Sequence, residues 1–338
     1  MSGTGEHRDV DTETKSLRIL TRSDIEAVDI TLTDVLDVVA QAIRPLADGT
    51  SANPAKLSVS APDDSSVSYA MLGRDGTRKV VAVRASYRHD PHRDRARLRH
   101  YTTLTLYDDD AGLPLALMDC GRIGALRTPA VSALIARACA PPNARTALLI
   151  GTGTTARMAL PLLLTALPGL ERLVLYGTHP DGIAAVCEQF AAHFPDRTVE
   201  VAGDVRAAAE GADVLIGTAG PTTPAAVEAD WLKPGALCVL VGYGLAPSTL
   251  HRADRVIATS ADQMAHTGGD LVDAGGTLRR VDAELAGILA GRAAGRAGPG
   301  ERIFAYNSGL VVTDIALGHH FARLALEQGL GTEIPLWK

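Results

Sequence analysis

Cysteine is scarce in this chain: four in 338 residues, at positions 120, 139, 187 and 238, with no C-x-x-C pair. That spacing excludes a disulfide framework and a clustered thiolate metal site, and it fits a reduced, cytoplasmic setting with no metal. Long apolar runs are lacking too. None approaches the roughly 18 residues needed to cross a bilayer, so no membrane partner is expected. The opening MSGTGEHRDVDTETK is polar and charged and does not read as a signal peptide; residues 1–16 are expected to be a disordered tail. Nor does one sign of charge dominate. There are 33 Lys and Arg against 39 Asp and Glu, a net charge of -6, which argues against nucleic acid or an anionic membrane as partner.

A more local absence bears on chemistry. In LCVLVGYGLAPSTL (237–250) a buried-strand pattern runs out into Gly242-Tyr243-Gly244. The carboxyl end of such a strand is where open α/β sheets bind ligands, yet no carboxylate, His, Cys or Lys stands at this tip.

What is present is the composition of an ordinary globular protein, 46% hydrophobic and 21% charged, at a length that suits two domains. From about Arg145 short apolar runs alternate with amphipathic stretches: TALLI (146–150), a helix over 154–167 stopped by Pro168-Gly169, RLVLY (172–176), a helix over 181–194, TVEVA (198–202) and a short helix near 204–211. DVLIG (213–217), ALCVLVG (236–242) and RVIAT (255–259) follow. This alternation predicts right-handed crossovers and a Rossmann-type, doubly wound parallel sheet. The earlier half differs. After a helical segment at 32–46 come KLSVS, SVSYAML, KVVAVRASY, TTLTLY and LPLALMD, near-alternating runs joined by Gly and Asp turns. They predict an antiparallel meander in a smaller α+β domain. The expected division is 17–128 with 309–338 for substrate binding and dimerisation, and 129–308 for the dinucleotide. Pro141-Pro142-Asn143 marks final entry to the latter, and the amphipathic stretch 308–331 is expected to be a long helix that packs back on the first domain.

ALLIGTGTTARMAL carries Gly151-x-Gly153-x-x-Ala156 between a strand and a helix. The first glycine permits the tight turn, the second admits a pyrophosphate, and Ala156 lets helix and strand pack closely. The motif alone is weak, but its context is right on both sides. Thr152, Thr154 and Thr155 complete the cradle. The second strand ends in Tyr176-Gly177-Thr178-His179, without the acid that grips a ribose 2′-hydroxyl. Its absence removes a charge that would repel a 2′-phosphate, so NADP is favoured slightly over NAD.

ALMDCGRIGALRTPAVSALIARACA followed closely by LLIGTGTTARM resembles the ornithine cyclodeaminase/μ-crystallin family. GADVLIGTAGPTTP, ADWLKPGALCVLVG and FAYNSGLVVTD, the last with Phe304, Ser308, Gly309 and Asp314, are similar to further family segments. The resemblance runs from about residue 32 to 331. It implies a Rossmann domain, a substrate domain whose sheet makes a homodimer interface, and an activity among cyclodeamination, amino-acid dehydrogenation, ketimine reduction and opine-like dehydrogenation; some members bind a hormone.

The resemblance also implies site residues. Arg127 matches the family arginine that holds a substrate carboxylate, and Thr128 beside it is read as a cofactor contact. An ungapped count places Arg84 where the family has lysine. Arg effectively cannot give up its proton, so Arg84 is expected to anchor rather than to act as an acid. Lys56 falls where the family has a further arginine, so the two cations are exchanged. Gly244 takes the place of the aspartate of cyclodeaminases, and Tyr69 falls near the place of a glutamate; both absences argue against cyclodeamination, and Gly244 is expected to leave room for a bulkier substrate. Tyr243 and Tyr69 are the remaining polar candidates, Tyr243 as general acid. Ser308 and Gly309 are expected at the substrate, and Thr218, Ala219 and Gly242 at the cofactor. The Arg- and His-rich stretch 84–100 is either a solvated hairpin tip or an anion-recruiting rim.

The expected activity is an NAD(P)H-dependent oxidoreductase acting on the C–N bond of an amino or imino acid. The alternatives are an NAD-dependent cyclodeaminase or a catalytically silent ligand-binding protein.

Overall fold

A computed structural model describes residues 15–90, 98–224 and 226–337. Most of the expected tail, 1–14, and the centre of the basic stretch, 91–97, lie outside the described residues. Residues 15 and 16 already belong to a strand, so the ordered chain begins inside the expected tail.

The first half runs β1 (Lys15–Leu20), α1 (Arg22–Ala27), α2 (Leu32–Ile43), β2 (Leu57–Ser60), β3 (Ser66–Asp75), β4 (Val80–His89), β5 (Arg99–Asp108), β6 (Leu113–Asp119) and α3 (Gly121–Cys139). The second runs β7 (Thr146–Ile150), α4 (Thr154–Arg157), α5 (Ala159–Ala166), β8 (Arg172–Tyr176), α6 (Pro180–His193), β9 (Glu200–Val201), α7 (Val205–Gly211), β10 (Val214–Gly217) and β11 (Leu237–Leu240). It continues with α8 (Pro247–His251), β12 (Arg255–Ala258), α9 (Ala261–Thr267), β13 (Ala283–Glu284), α10 (Leu285–Leu289) and β14 (Ile303–Tyr306), and ends in α11 (Val311–Glu327) and β15 (Thr332–Trp337).

Two sheets result. One is mixed, in the order β15-β1-β6-β5-β4-β3-β2, with the β2–β6 meander antiparallel as the alternation predicts. Its other edge was not foreseen: β1 pairs in parallel with β6, and β15 closes antiparallel on β1. The second sheet is parallel throughout, in the order β13-β12-β14-β11-β10-β7-β8-β9. Its central strands are buried along their whole length, as helices on both faces require.

The single helix expected at 154–167 is broken at Met158 (φ -100°, ψ 0°). Pro161 explains the break, since it has no N–H for the carbonyl four residues earlier and its ring crowds that turn. α3 runs without a break through the expected boundary at 128–129, with Pro129 inside it and a mostly buried surface. One continuous apolar core joins α2, α3, α5 and α11 to the inner faces of both sheets. α11 packs on α2, α3 and the meander, so the C-terminal helix does return to the first half.

Candidate active site

At the carboxyl ends of β7, β8 and β10 lies a cleft of about 810 Å³. Ten of the expected cofactor residues line it: Gly151, Thr152, Gly153, Thr154, Thr155, Gly177, Thr178, His179, Thr218 and Ala219. Gly151 has φ +110°, and a Cβ there would lie 2.6 Å from the Ala219 amide nitrogen. Only glycine lets the Thr218–Ala219 loop close against the turn. That cradle and its row of hydroxyls suit a nicotinamide dinucleotide, with the turn at the pyrophosphate. Three expected contacts lie elsewhere. Ala156 is buried in helix–strand packing, Gly242 backs the Ala219 carbonyl, and the Thr128 carbonyl accepts from Asn307 Nδ2 at 3.0 Å.

The far wall of the cleft comes from the mixed sheet, through Asp64, Ser65, Ser66, Val67, Arg88, Asp90, Leu98 and His100. The register orders the residues behind this wall. Met71, Arg84 and Leu104 form one cross-strand row, Tyr69, Ser86 and Thr102 the next, and Val67, Arg88 and His100 the row at the cleft. Rows two residues apart are roughly 7 Å apart along the strands.

At the first row sits a cationic pocket. Asp314, fully buried in the first turn of α11, takes Arg127 Nε at 3.1 Å and Arg84 Nε at 3.3 Å on a single oxygen, Oδ1. The Arg127 contact is a hydrogen bond and the Arg84 contact an ion pair only, and among the described residues Arg84 Nε and the second oxygen of Asp314 are buried without a hydrogen-bond partner. Arg84 Nη1 contacts Met71 Sδ at 3.6 Å. Gly309 lies so close to Arg127 that a Cβ would be 2.6 Å from Nη1. Burial opposes the Arg84 charge, but Asp314 and Cys120 outweigh it and hold the guanidinium charged, above its usual range. The Cys120 thiol, 3.7 Å from Asp314 Oδ1, is pushed up to about 12 by burial and then by Asp314, so it is no proton donor at neutral pH.

Lys56 joins this group. Its pKa is lowered by burial and then by Arg84 and Arg127, and its ammonium stands 5.0 Å from the centre of the Tyr69 ring. Among the described residues three cations therefore face one carboxylate, an imbalance that an added anion would relieve.

Ser308 is near this region but committed: its hydroxyl pairs with Thr259 Oγ1 at 2.8 Å. Tyr243 donates to Asp270 at 2.9 Å, and that bond raises its pKa. It does not line the cleft, which takes from it the role of general acid. Gly244 is also corrected. With φ +113°, and with Ile150 Cγ2 2.9 Å from where a Cβ would be, it leaves no room for a larger substrate group. A carboxylate at 244 would need a different backbone.

Sequence reasoning singled out neither Asn307 nor His100, and gave Asp314 only as part of a signature. A carboxylate inside the apolar run VVTDIAL is the signal for Asp314, because a buried charge needs a partner. Among the described residues no group of three His, Cys, Asp or Glu is placed to hold a metal ion, and no helix is long and apolar enough to cross a membrane.

Fold and cleft define a Rossmann-type α/β protein with a cationic cluster set against the carboxyl end of the parallel sheet. The chain belongs to the ornithine cyclodeaminase/mu-crystallin family, whose sequence pattern matches residues 16–326. It is 25% identical over 322 residues to the nodulation efficiency protein NfeD of Rhizobium meliloti, covering 94% of this chain and 98% of that one. It is 29% identical over 239 residues to a Δ1-pyrroline-2-carboxylate reductase of Bacillus cereus, covering 68% and 72%. The structure of Thermococcus litoralis Δ1-pyrroline-2-carboxylate reductase with NADH and L-proline superposes with a TM-score of 0.80 at 23% identity, covering 94% of this chain and all of that one.

Proposed function

We propose that this chain is an NAD(P)H-dependent oxidoreductase that reduces the C=N bond of a 2-imino acid, or oxidises the matching amino acid in reverse. The observation that carries this reading is the Arg84–Arg127–Asp314 cluster beside the glycine-lined cleft. A bound nicotinamide dinucleotide supplies or accepts a hydride at C4. The chain's own residues do the rest. Arg127 and Arg84 present rigid Nη edges to the substrate carboxylate and fix its approach, and Lys56 adds charge at the same place. Residues 151–155, 177–179 and 218–219 hold the dinucleotide. Gly244 argues against cyclodeamination, which needs a group there to manage the departing amine.

Two finer points belong to the same proposal. NADP(H) is preferred over NAD(H), because no carboxylate ends β8 and Thr178 and His179 line the cleft there. The protein works in the cytoplasm as a homodimer, joined through the outer face of the mixed sheet, where Leu57, Val59, Leu72 and Tyr101 are exposed.

The test is reduction of cyclic 2-imino acids, and of imines formed from 2-oxo acids and amines, followed through nicotinamide absorbance with either cofactor. Arg127→Ala is expected to raise KM roughly a hundredfold while dinucleotide affinity holds. Unchanged kinetics would remove Arg127 from the pocket. Release of ammonia from ornithine or lysine would replace the reading by cyclodeamination.

A further inference from the structure

We propose that His100 is the residue that exchanges a proton with the substrate nitrogen, and that docking of the substrate carboxylate favours its protonated form. The inference rests on the reductase reading above. It begins from a gap in that site, for an imine nitrogen must gain a proton as its carbon gains a hydride. Arginine effectively never gives up its proton, the Cys120 thiol is too weak an acid to donate, and Tyr243 is turned to Asp270.

His100 stands where the two halves of the site meet. It lines the dinucleotide cleft, on the same inner sheet face as Arg84 and two rows along from it. One edge of the ring is fixed. Nε2 lies 3.0 Å from Ser86 Oγ and 3.4 Å from Thr102 Oγ1, and these two buried hydroxyls are 3.3 Å from each other. Among the described residues Nδ1 takes no part in this network, and the ring lines the cleft. A ring held on two hydroxyls can exchange a proton at one nitrogen without losing its orientation.

Its surroundings supply the coupling. Partial burial lowers the His100 pKa, and the charges of Arg84 and then Arg88 lower it further. Among the described residues the other ionisable groups nearby are Tyr69 in the middle row, with Lys56 over its ring, and Asp64 and Asp90 at the cleft, with Asp90 already paired to Arg88 at 2.9 Å. Behind Arg84 lie Asp314, Arg127 and Cys120. Without substrate the ring is neutral at neutral pH. An anionic carboxylate on Arg84 offsets one of the charges that depress the ring and shifts its proton affinity back toward the ordinary value, while burial and Arg88 still act on it. In the reaction the reduced nicotinamide gives a hydride to the imine carbon and Nδ1–H gives its proton to the nitrogen. The products are the CH–NH amino acid, oxidised nicotinamide and neutral imidazole. In the reverse direction the neutral ring accepts the proton.

Two measurements on the full chain test this. In the cofactor-free protein, histidine NMR identifies the His100 resonance by its loss in His100→Gln. Its titration midpoint is expected below the ordinary value of 6.5 and is expected to rise on saturation with pyrrole-2-carboxylate, a planar acid that cannot be reduced. A midpoint that stays put overturns the coupling. In turnover of Δ1-pyrroline-2-carboxylate, His100→Gln and His100→Asn are expected to lower kcat about a hundredfold and flatten its pH profile, with KM and dinucleotide affinity within about threefold and the melting temperature retained. If the wild type is active and both variants keep its rate and profile, His100 is overturned and the reductase reading stands. If the wild type reduces neither this imine nor the one formed from pyruvate and methylamine, the reductase reading falls first and takes this inference with it.

Discussion

The two sheets solve opposite problems. The parallel sheet is covered on both faces, so β10 and β11 are apolar at every position, and its chemistry is confined to strand tips. The mixed sheet has an apolar outer face and an inner face that carries Met71, Tyr69, Arg84, Ser86 and His100 in register. There the functional groups project from the strands themselves. A tip can change a loop without disturbing its sheet. A residue inside a cross-strand row is tied to packing, charge and chemistry at once, so substitutions in the mixed sheet are expected to cost more than substitutions at the parallel tips.

The largest test of that contrast is Asp314→Asn. It leaves two nearly buried guanidinium groups facing each other without a counter-charge, and it is expected to cost about 3–5 kcal/mol of stability, read by chemical denaturation. A loss under about 1 kcal/mol would mean that the arginines are already solvated. Next comes the outer face. Val59→Lys places a charge within the proposed dimer interface and is expected to weaken association roughly a hundredfold or more, measured by sedimentation; a variant that assembles normally would remove this face from the dimer. At a parallel tip the effect is smaller. His179→Asp puts a carboxylate where the 2′-phosphate is expected, and aspartate is favoured at this helix N-cap. Preference should move toward NADH by roughly tenfold with little change in melting temperature. Gly177→Asp would be a poor substitute, because a Cβ there collides with Thr152.

The smallest effect is a pH dependence. The folded-state pKa of Lys56 is lowered from 10.5, so between the folded and unfolded values the unfolded chain binds more protons and stability rises with pH. Below that window the half-buried ammonium is a constant burden. Lys56→Met is therefore expected to be more stable than the wild type at neutral pH, with the advantage shrinking as pH rises toward 10.5. An advantage independent of pH would place the effect in packing instead.

Much of the parallel half was legible because a strand covered on both faces announces itself locally, and the glycine turn lies within a single stretch. The meander was legible from alternation. What escaped needed distant partners. β1 and β15 pair across more than 300 residues, and nothing in either strand names the other. Asp314, in the last long helix, is matched to arginines from β4 and α3. His100 gains its meaning only from the row that carries Ser86 and Thr102. Gly244 was legible as a missing acid but misleading as a space, because Ile150 and Ala219 fill it from neighbouring elements.

The continuity of α3 has a consequence for how such proteins can be recombined. Arg127 and Thr128 are successive residues of one helix, and the second is tied through Asn307 to the end of β14. The proposed carboxylate anchor and the parallel sheet thus share one backbone segment, and a chimera joined at 128–129 would cut it in mid-turn. Exchange of pockets between relatives should keep the helix whole when the first junction falls after α3, in the Pro141-Pro142-Asn143 segment, and requires α11 to travel with it, because Asp314 pairs with both arginines.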